Sequence, residues 1–132
     1  MLSSVIFAEY CNAQTTGADT AQYKLYIFTG SDWCAVCRKM DAKLFRDSSI
    51  IHALDSQSIK LIIVDFPQRT KQTDSVKQHN AVLSEQFSFT GRFPTLILTG
   101  KDDKKFISLF YNNEAPAEFI QLIRNRKKEL YE

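Results

Sequence analysis

The sequence predicts a single α/β domain: a central mixed β-sheet flanked by helices on both faces. Three observations carry that expectation. Two short apolar runs, Leu25-Tyr26-Ile27-Phe28 and Leu61-Ile62-Ile63-Val64, read as buried strands, with helical patterning between them. A third strand opens at Thr95 and runs into Gly100-Lys101-Asp102-Asp103, a hairpin turn that returns the chain through residues 106–111. An amphipathic helix then closes the chain. Strands joined by helices, followed by a hairpin, bury their apolar faces in a layered mixed sheet.

Taken in order, residues 3–14 suit either a short helix or a strand, and residues 15–22 are small and polar around Gly17. The domain is therefore expected over residues 23–132, with residues 1–22 an N-terminal extension or first element. Tyr23 to Thr29 reads as a strand closed by Gly30. A helix follows from Cys34 to about Phe45, with Val36, Met40 and Leu44 spaced along one face. Asp47-Ser48-Ser49 interrupts it and caps a second helical piece carrying Ile50, Ile51 and Leu54. The unbroken apolar run after Lys60 implies a strand covered on both faces, hence a central parallel position, ended by Pro67. A polar loop leads to a helix whose inner face is expected to hold Val76, Asn80, Leu83 and Phe87. Phe89-Thr90-Gly91-Arg92-Phe93-Pro94 turns the chain into the strand at Thr95. Asn113 or Glu114 is expected to cap the last helix, with Pro116 in its first turn and Phe119, Ile120 and Ile123 inward. Arg124, Arg126, Lys127 and Lys128 form a solvated face that complements the negative helix end.

Charge and composition exclude several function classes. Among 132 residues, 17 Lys and Arg against 15 Asp and Glu leave a net charge of +2, too little to predict a nucleic-acid or anionic-membrane partner. No apolar run approaches the roughly 20 residues that cross a bilayer, so no membrane insertion is expected. No glycine-rich phosphate loop, catalytic carboxylate pair or Ser/His/Asp arrangement is present. The apolar start, residues 1–8, and Asn12-Ala13-Gln14 fit the end of a processed export signal, although no Lys or Arg precedes them.

The chemistry concentrates at Trp33-Cys34-Ala35-Val36-Cys37, where a strand gives way to a helix. Two cysteines at that spacing on a first helical turn can close a small, reversible disulfide. The first sulfur lies over unpaired N–H groups at the positive helix end, which favours the reactive thiolate. Arg38 and Lys39 on the next turn would favour that thiolate, and Asp32 would oppose it. Two other readings stand beside a redox dithiol. One is a structural disulfide or inert pair. The other is half a zinc site, completed by His52, His79 or Cys11. Cys11, the odd cysteine of three, reads as a packed or idle thiol. His52 and His79 read as surface positions on helices. Asp65 reads as a cap on the turn at Gln68, or as a group near the active face at a strand end.

Trp33-Cys34-Ala35-Val36-Cys37 after a strand, with Phe93-Pro94-Thr95 opening a later one, resembles the thioredoxin superfamily from about Tyr23 to Leu130. Phe28-Thr29-Gly30-Ser31-Asp32-Trp33-Cys34 and Val64-Asp65-Phe66-Pro67-Gln68 are similar to a branch of small exported thiol-disulfide oxidoreductases, DsbH-like and related thioredoxin-like disulfide isomerases. The resemblance implies a thioredoxin fold with Cys34 as exposed nucleophile and Cys37 as the more buried resolving cysteine. It makes Pro94 a cis-proline beside them, the Phe93 backbone a substrate-pairing edge, and Trp33 a shield over the disulfide. Where thioredoxins proper carry a buried Asp, this chain has Phe28, so another group must take the Cys37 proton. The bulky Phe93 implies an apolar substrate groove. The implied activity is disulfide exchange with protein substrates, as reductase or isomerase. It needs an upstream thiol donor, no metal and no cofactor beyond the Cys34–Cys37 disulfide. The implied setting is a monomer in the periplasm or otherwise exported, the cytoplasm being the alternative. A redox-silent peptide-binding module using the Phe93-Pro94 groove is the reading from another functional class.

Overall fold

The structure, a computed structural model, describes residues 21–130. The expectations for residues 3–14, for Cys11 and for a processed signal end lie outside the described residues.

β1 (Tyr23–Thr29) leads to α1 (Ala35–Met40), which continues as a π-helical turn (Asp41–Phe45). Then come α2 (Ser48–Ser56), β2 (Ile59–Asp65), α3 (Asp74–Gln86), β3 (Thr95–Gly100), β4 (Phe106–Phe110) and α4 (Pro116–Lys127). The four strands lie in the order β2-β1-β3-β4. β1 and β2 run parallel, with Tyr23 opposite Ile59 and Thr29 opposite Asp65. β3 pairs antiparallel with both β1 and β4.

The two-residue period of β1 divides the core. Tyr23, Leu25 and Ile27 point to one face, packed with Met40, Leu44, Leu54 and Phe119 from α1, its π-helical turn, α2 and α4. Tyr26 and Phe28 point to the other, packed with Leu83 and Phe87 at α3. Helices therefore cover both faces. Burial and then the Asp103 carboxylate push the Tyr26 phenol pKa up. The Tyr26 hydroxyl donates to Asp103 at 3.0 Å, which ties the β3–β4 turn to β1.

Four local expectations change. β2 is an edge strand among the described strands, and β1 and β3 occupy the centre. Its apolar run reported burial on both faces correctly: Ile59 and Leu61 face one core cluster, Val64 the other. Facial burial, however, says nothing about how many hydrogen-bonded neighbours a strand has. On α1, Val36 is solvent-exposed and Cys37 takes the inward slot ahead of Met40 and Leu44. On α3, Val76 is exposed, and Asn80, Leu83 and the following Phe87 are buried. The cap of the last helix is Ala115, whose N–H the Glu118 carboxylate accepts at 2.9 Å, rather than Asn113 or Glu114.

The interruption after α1 has a specific form. The Arg46 N–H reaches back five residues to the Asp41 carbonyl at 3.0 Å, so one wide turn is inserted before Asp47. Asp47 then caps α2 through the Ser49 N–H at 2.9 Å, as its side chain predicts.

Candidate active site

β1 delivers the chain into a tight turn at Gly30, where the Cys34 N–H donates to the Gly30 carbonyl at 2.9 Å. Glycine is needed here for space: a Cβ on Gly30 would overlap the Trp33 indole. The indole folds back over the turn and donates its Nε1–H to the Phe66 carbonyl at 2.7 Å. Cys34 caps α1 and is disulfide-bonded to Cys37, with a Cα–Cα separation of 5.2 Å. The Cys37 N–H points at the Cys34 sulfur, 3.2 Å away, which is the oriented donor a thiolate would need.

Cys34 is more accessible than Cys37, at 8% against 1%. Cys34 is therefore largely buried rather than exposed as expected, and Cys37 more deeply so. Beneath Cys37 lies a cavity of about 220 Å³ whose lining includes Thr29, Arg38, Asp41 and Asp65. Phe28 is fully buried on the opposite sheet face, stacked on Phe66 and Phe89, so no acid occupies that position.

The Phe93–Pro94 peptide bond is cis. Phe93 meets Trp33 edge-on at 5.1 Å between ring centres, and packs on Phe66 at 5.6 Å and Phe89 at 5.0 Å. These separations are favourable for aromatic pairs, each worth about 0.5–1.5 kcal/mol beyond burial. The Phe93 ring thus fixes its own loop against the turn that carries Cys34, while Pro94 is buried at the start of β3. The structure thus brings Trp33, the neighbour of Cys34, against Phe93, the neighbour of the cis-proline Pro94.

The expected tuning residues divide. Arg38 and Lys39 are exposed on α1 and enter no ion pair among the described residues. Asp32 turns to a different task. Its carboxylate accepts the N–H groups of Gln68 at 2.9 Å, Arg69 at 2.9 Å and Thr70 at 2.7 Å. The Gln68 bond first, with those from Thr70 and Arg69, lowers its pKa to about 2. Asp65 does not cap the Gln68 turn; it accepts the Ser31 N–H at 2.9 Å and the Ser31 hydroxyl. His52 and His79 are exposed on α2 and α3. Among the described residues, no group of three or more His, Cys, Asp or Glu side chains is placed to hold a metal. No helix there is long and apolar enough to cross a membrane.

Sequence reasoning missed Phe66 and Phe89, which support Phe93. The only local hint was an aromatic residue directly after a strand and another in the turn before Pro94.

No model of a known protein family matches this chain. It is 30% identical over 101 residues to the disulfide bond reductase DsbH of Chlamydia pneumoniae, covering 76% of this chain and 60% of that protein. The chain thus spans about three fifths of that relative's length. Among solved structures it is similar to a DsbH oxidoreductase, with a TM-score of 0.71 and 28% identity over 80% of this chain and 72% of that one. It also resembles the oxidised C-terminal domain of Neisseria meningitidis DsbD, with a TM-score of 0.55 over 94% of this chain and 91% of that one. At 14% identity, that second likeness concerns the fold alone. The Cys34–Cys37 disulfide, the cis Phe93–Pro94 bond and the sheet they stand on thus occur in a chain that is similar to DsbH and has a thioredoxin-like fold.

Proposed function

We propose that this protein exchanges disulfides with protein substrates through Cys34 and Cys37, in the reducing or isomerising direction. The observation that carries the reading is the disulfide at the start of α1, its outer sulfur facing a helix N–H and its inner sulfur buried. The DsbH of Chlamydia pneumoniae is named a disulfide bond reductase, which supports the reducing direction.

In the reduced protein, the Cys34 thiolate attacks one sulfur of a substrate disulfide. That bond breaks, a mixed disulfide forms, and the first substrate sulfur leaves as a thiolate that takes a proton from water. Cys37 then loses its proton and attacks the Cys34 sulfur, expelling the second substrate thiol. Two electrons pass to the substrate, and the protein is left with the Cys34–Cys37 disulfide. An upstream dithiol donor returns it to the reduced form. Water in the cavity below Cys37 receives the Cys37 proton in place of a buried acid. Trp33 and the Phe93-Pro94 backbone bind the substrate segment, and Arg38 and Lys39 favour the thiolate by their charge. We further propose that residues 23–132 act as one domain and as a monomer, with no cofactor beyond the disulfide, in an exported compartment.

A trapping experiment tests the reading. Cys37→Ala should accumulate mixed disulfides with client proteins, and Cys34→Ala should not. If no Cys37→Ala adduct forms and the wild type does not accelerate reduction of insulin by a dithiol, the reading fails.

A further inference from the structure

We infer that Arg92 selects protein disulfides in which an acidic side chain flanks the reacting cysteine. The inference rests on the exchange activity proposed above and adds its substrate class. Gly91 turns the chain at a φ of +89°, in the left-handed region that favours glycine, and delivers Arg92 directly before the Phe93-Pro94 edge. The Arg92 residue is held at both ends. The Thr95 hydroxyl donates to its carbonyl, and its guanidinium carbon lies 4.1 Å from the centre of the Phe110 ring. Phe110 pairs with Thr95 across β3 and β4 and is 39% exposed, so the stacked guanidinium stands at the surface. A planar guanidinium on an aromatic face keeps its N–H donors directed outward for a carboxylate.

Its partners are missing from the protein itself. Among the described residues, Arg92, Arg38 and Lys39 enter no ion pair. The acids of the active-site turn and of the cavity below Cys37, by contrast, are engaged: Asp41 with Arg46 at 2.8 Å, Asp65 with Ser31, and Asp32 with the 68–70 loop. Arg92, one residue before the Phe93-Pro94 edge, and Arg38 and Lys39, directly after Cys37, thus carry charge with no ion-pair partner among the described residues, while these three carboxylates are already held by bonds within the protein. Phe93 turns its ring toward Trp33 while Arg92 lies toward β4, so the two neighbours present different chemistry on either side of one substrate-pairing edge. A peptide laid along that edge meets an apolar surface near its cysteine and a cation one residue away.

The test uses three disulfide-linked fluorogenic peptides, identical except for Glu, Gln or Lys beside the cysteine, reduced by the full chain with a dithiol as donor. The expected result is a kcat/KM about three- to fivefold higher for Glu than for Lys, carried by KM, the size of one partly exposed charge pair. That ratio, read within each protein, should fall to near one in Arg92→Ala and be partly kept in Arg92→Lys. It should also collapse at about 1 M salt, where the screening length is about 3 Å. Equal rates for Glu and Lys peptides, or a preference that survives in Arg92→Ala, would overturn the inference and leave the exchange activity standing. Failure to reduce any of the three peptides would overturn both.

Discussion

Asp65 holds the turn that carries Asp32, and Asp32 holds the loop that follows Asp65. The Asp65 carboxylate takes the Ser31 N–H and hydroxyl, while the Asp32 carboxylate takes three successive N–H groups from Gln68 to Thr70. Asp65 sits opposite Thr29 in the parallel β1–β2 pair, so the crossing joins two loops at the same end of neighbouring strands. One of those loops presents Cys34. The other carries Phe66, whose carbonyl anchors Trp33.

Asp65→Ala removes two hydrogen bonds at once and leaves the Ser31 N–H without its partner. Ser31 is exposed, so water takes the freed N–H, and the expected cost is about 0.5–1.5 kcal/mol, read as a lower urea midpoint with an unchanged slope. Ser31→Ala removes the hydroxyl alone and should cost less than Asp65→Ala. Equal stability of Asp65→Ala and the wild type would show that the crossing is dispensable.

The other half of the crossing responds to pH. The Gln68 N–H foremost, then those of Thr70 and Arg69, lower the Asp32 pKa to about 2. In the unfolded chain an Asp titrates near about 3.9. A lowered folded-state pKa means that the stabilisation is full above the unfolded value and is lost as pH falls through the folded one. The window is thus about pH 4 down to about pH 2. Asp32→Asn has no charge to lose, so its melting temperature should fall less steeply than the wild type's across that window. Parallel curves would contradict the assignment.

Much of this architecture was legible because its signals are local. Tyr23–Thr29 is a short apolar run closed by a glycine, and the strand has those bounds. Cys34, Cys37 and Phe93-Pro94 carry their chemistry in adjacent residues. The edge position of β2 was not legible, because burial patterns report faces and not hydrogen-bonded neighbours. Val36 misled because α1 spans only six residues, too few for one apolar side chain to fix which face turns inward. The Asp32–Asp65 crossing and the Arg92–Phe110 stack join residues far apart in sequence, and no local pattern encodes them.

Gly30→Ala tests the close approach behind the active-site turn. The added methyl overlaps the Trp33 indole, so the ring must swing away and release the Phe66 carbonyl. Overpacking of this kind costs about 1–3 kcal/mol. Trp33 is the single tryptophan of the chain, so fluorescence reports the movement directly. A red-shifted emission maximum with a lowered melting temperature is expected. An unchanged spectrum would mean that the turn absorbs the methyl without moving the indole.

Phe28→Asp asks whether this chain can accept the buried acid found in thioredoxins proper. Phe28 is fully buried, with its ring 4.7 Å from Phe89 and 6.1 Å from Phe66, centre to centre. Truncating such a ring costs about 3–5 kcal/mol before charge is considered. An unpaired carboxylate left among Phe66, Phe89 and Phe87 adds a desolvation penalty of comparable size or larger. Against a typical total stability of about 5–15 kcal/mol, the variant should be largely unfolded at neutral pH by circular dichroism. Phe28→Leu keeps an apolar side chain and should stay folded, with a urea midpoint lowered by about 1–2 kcal/mol of stability. If Phe28→Asp instead folds and turns substrate over faster, the aromatic face behind the disulfide can host a proton acceptor. The Cys37 proton would then have a second route besides the cavity bordered by Asp41 and Asp65.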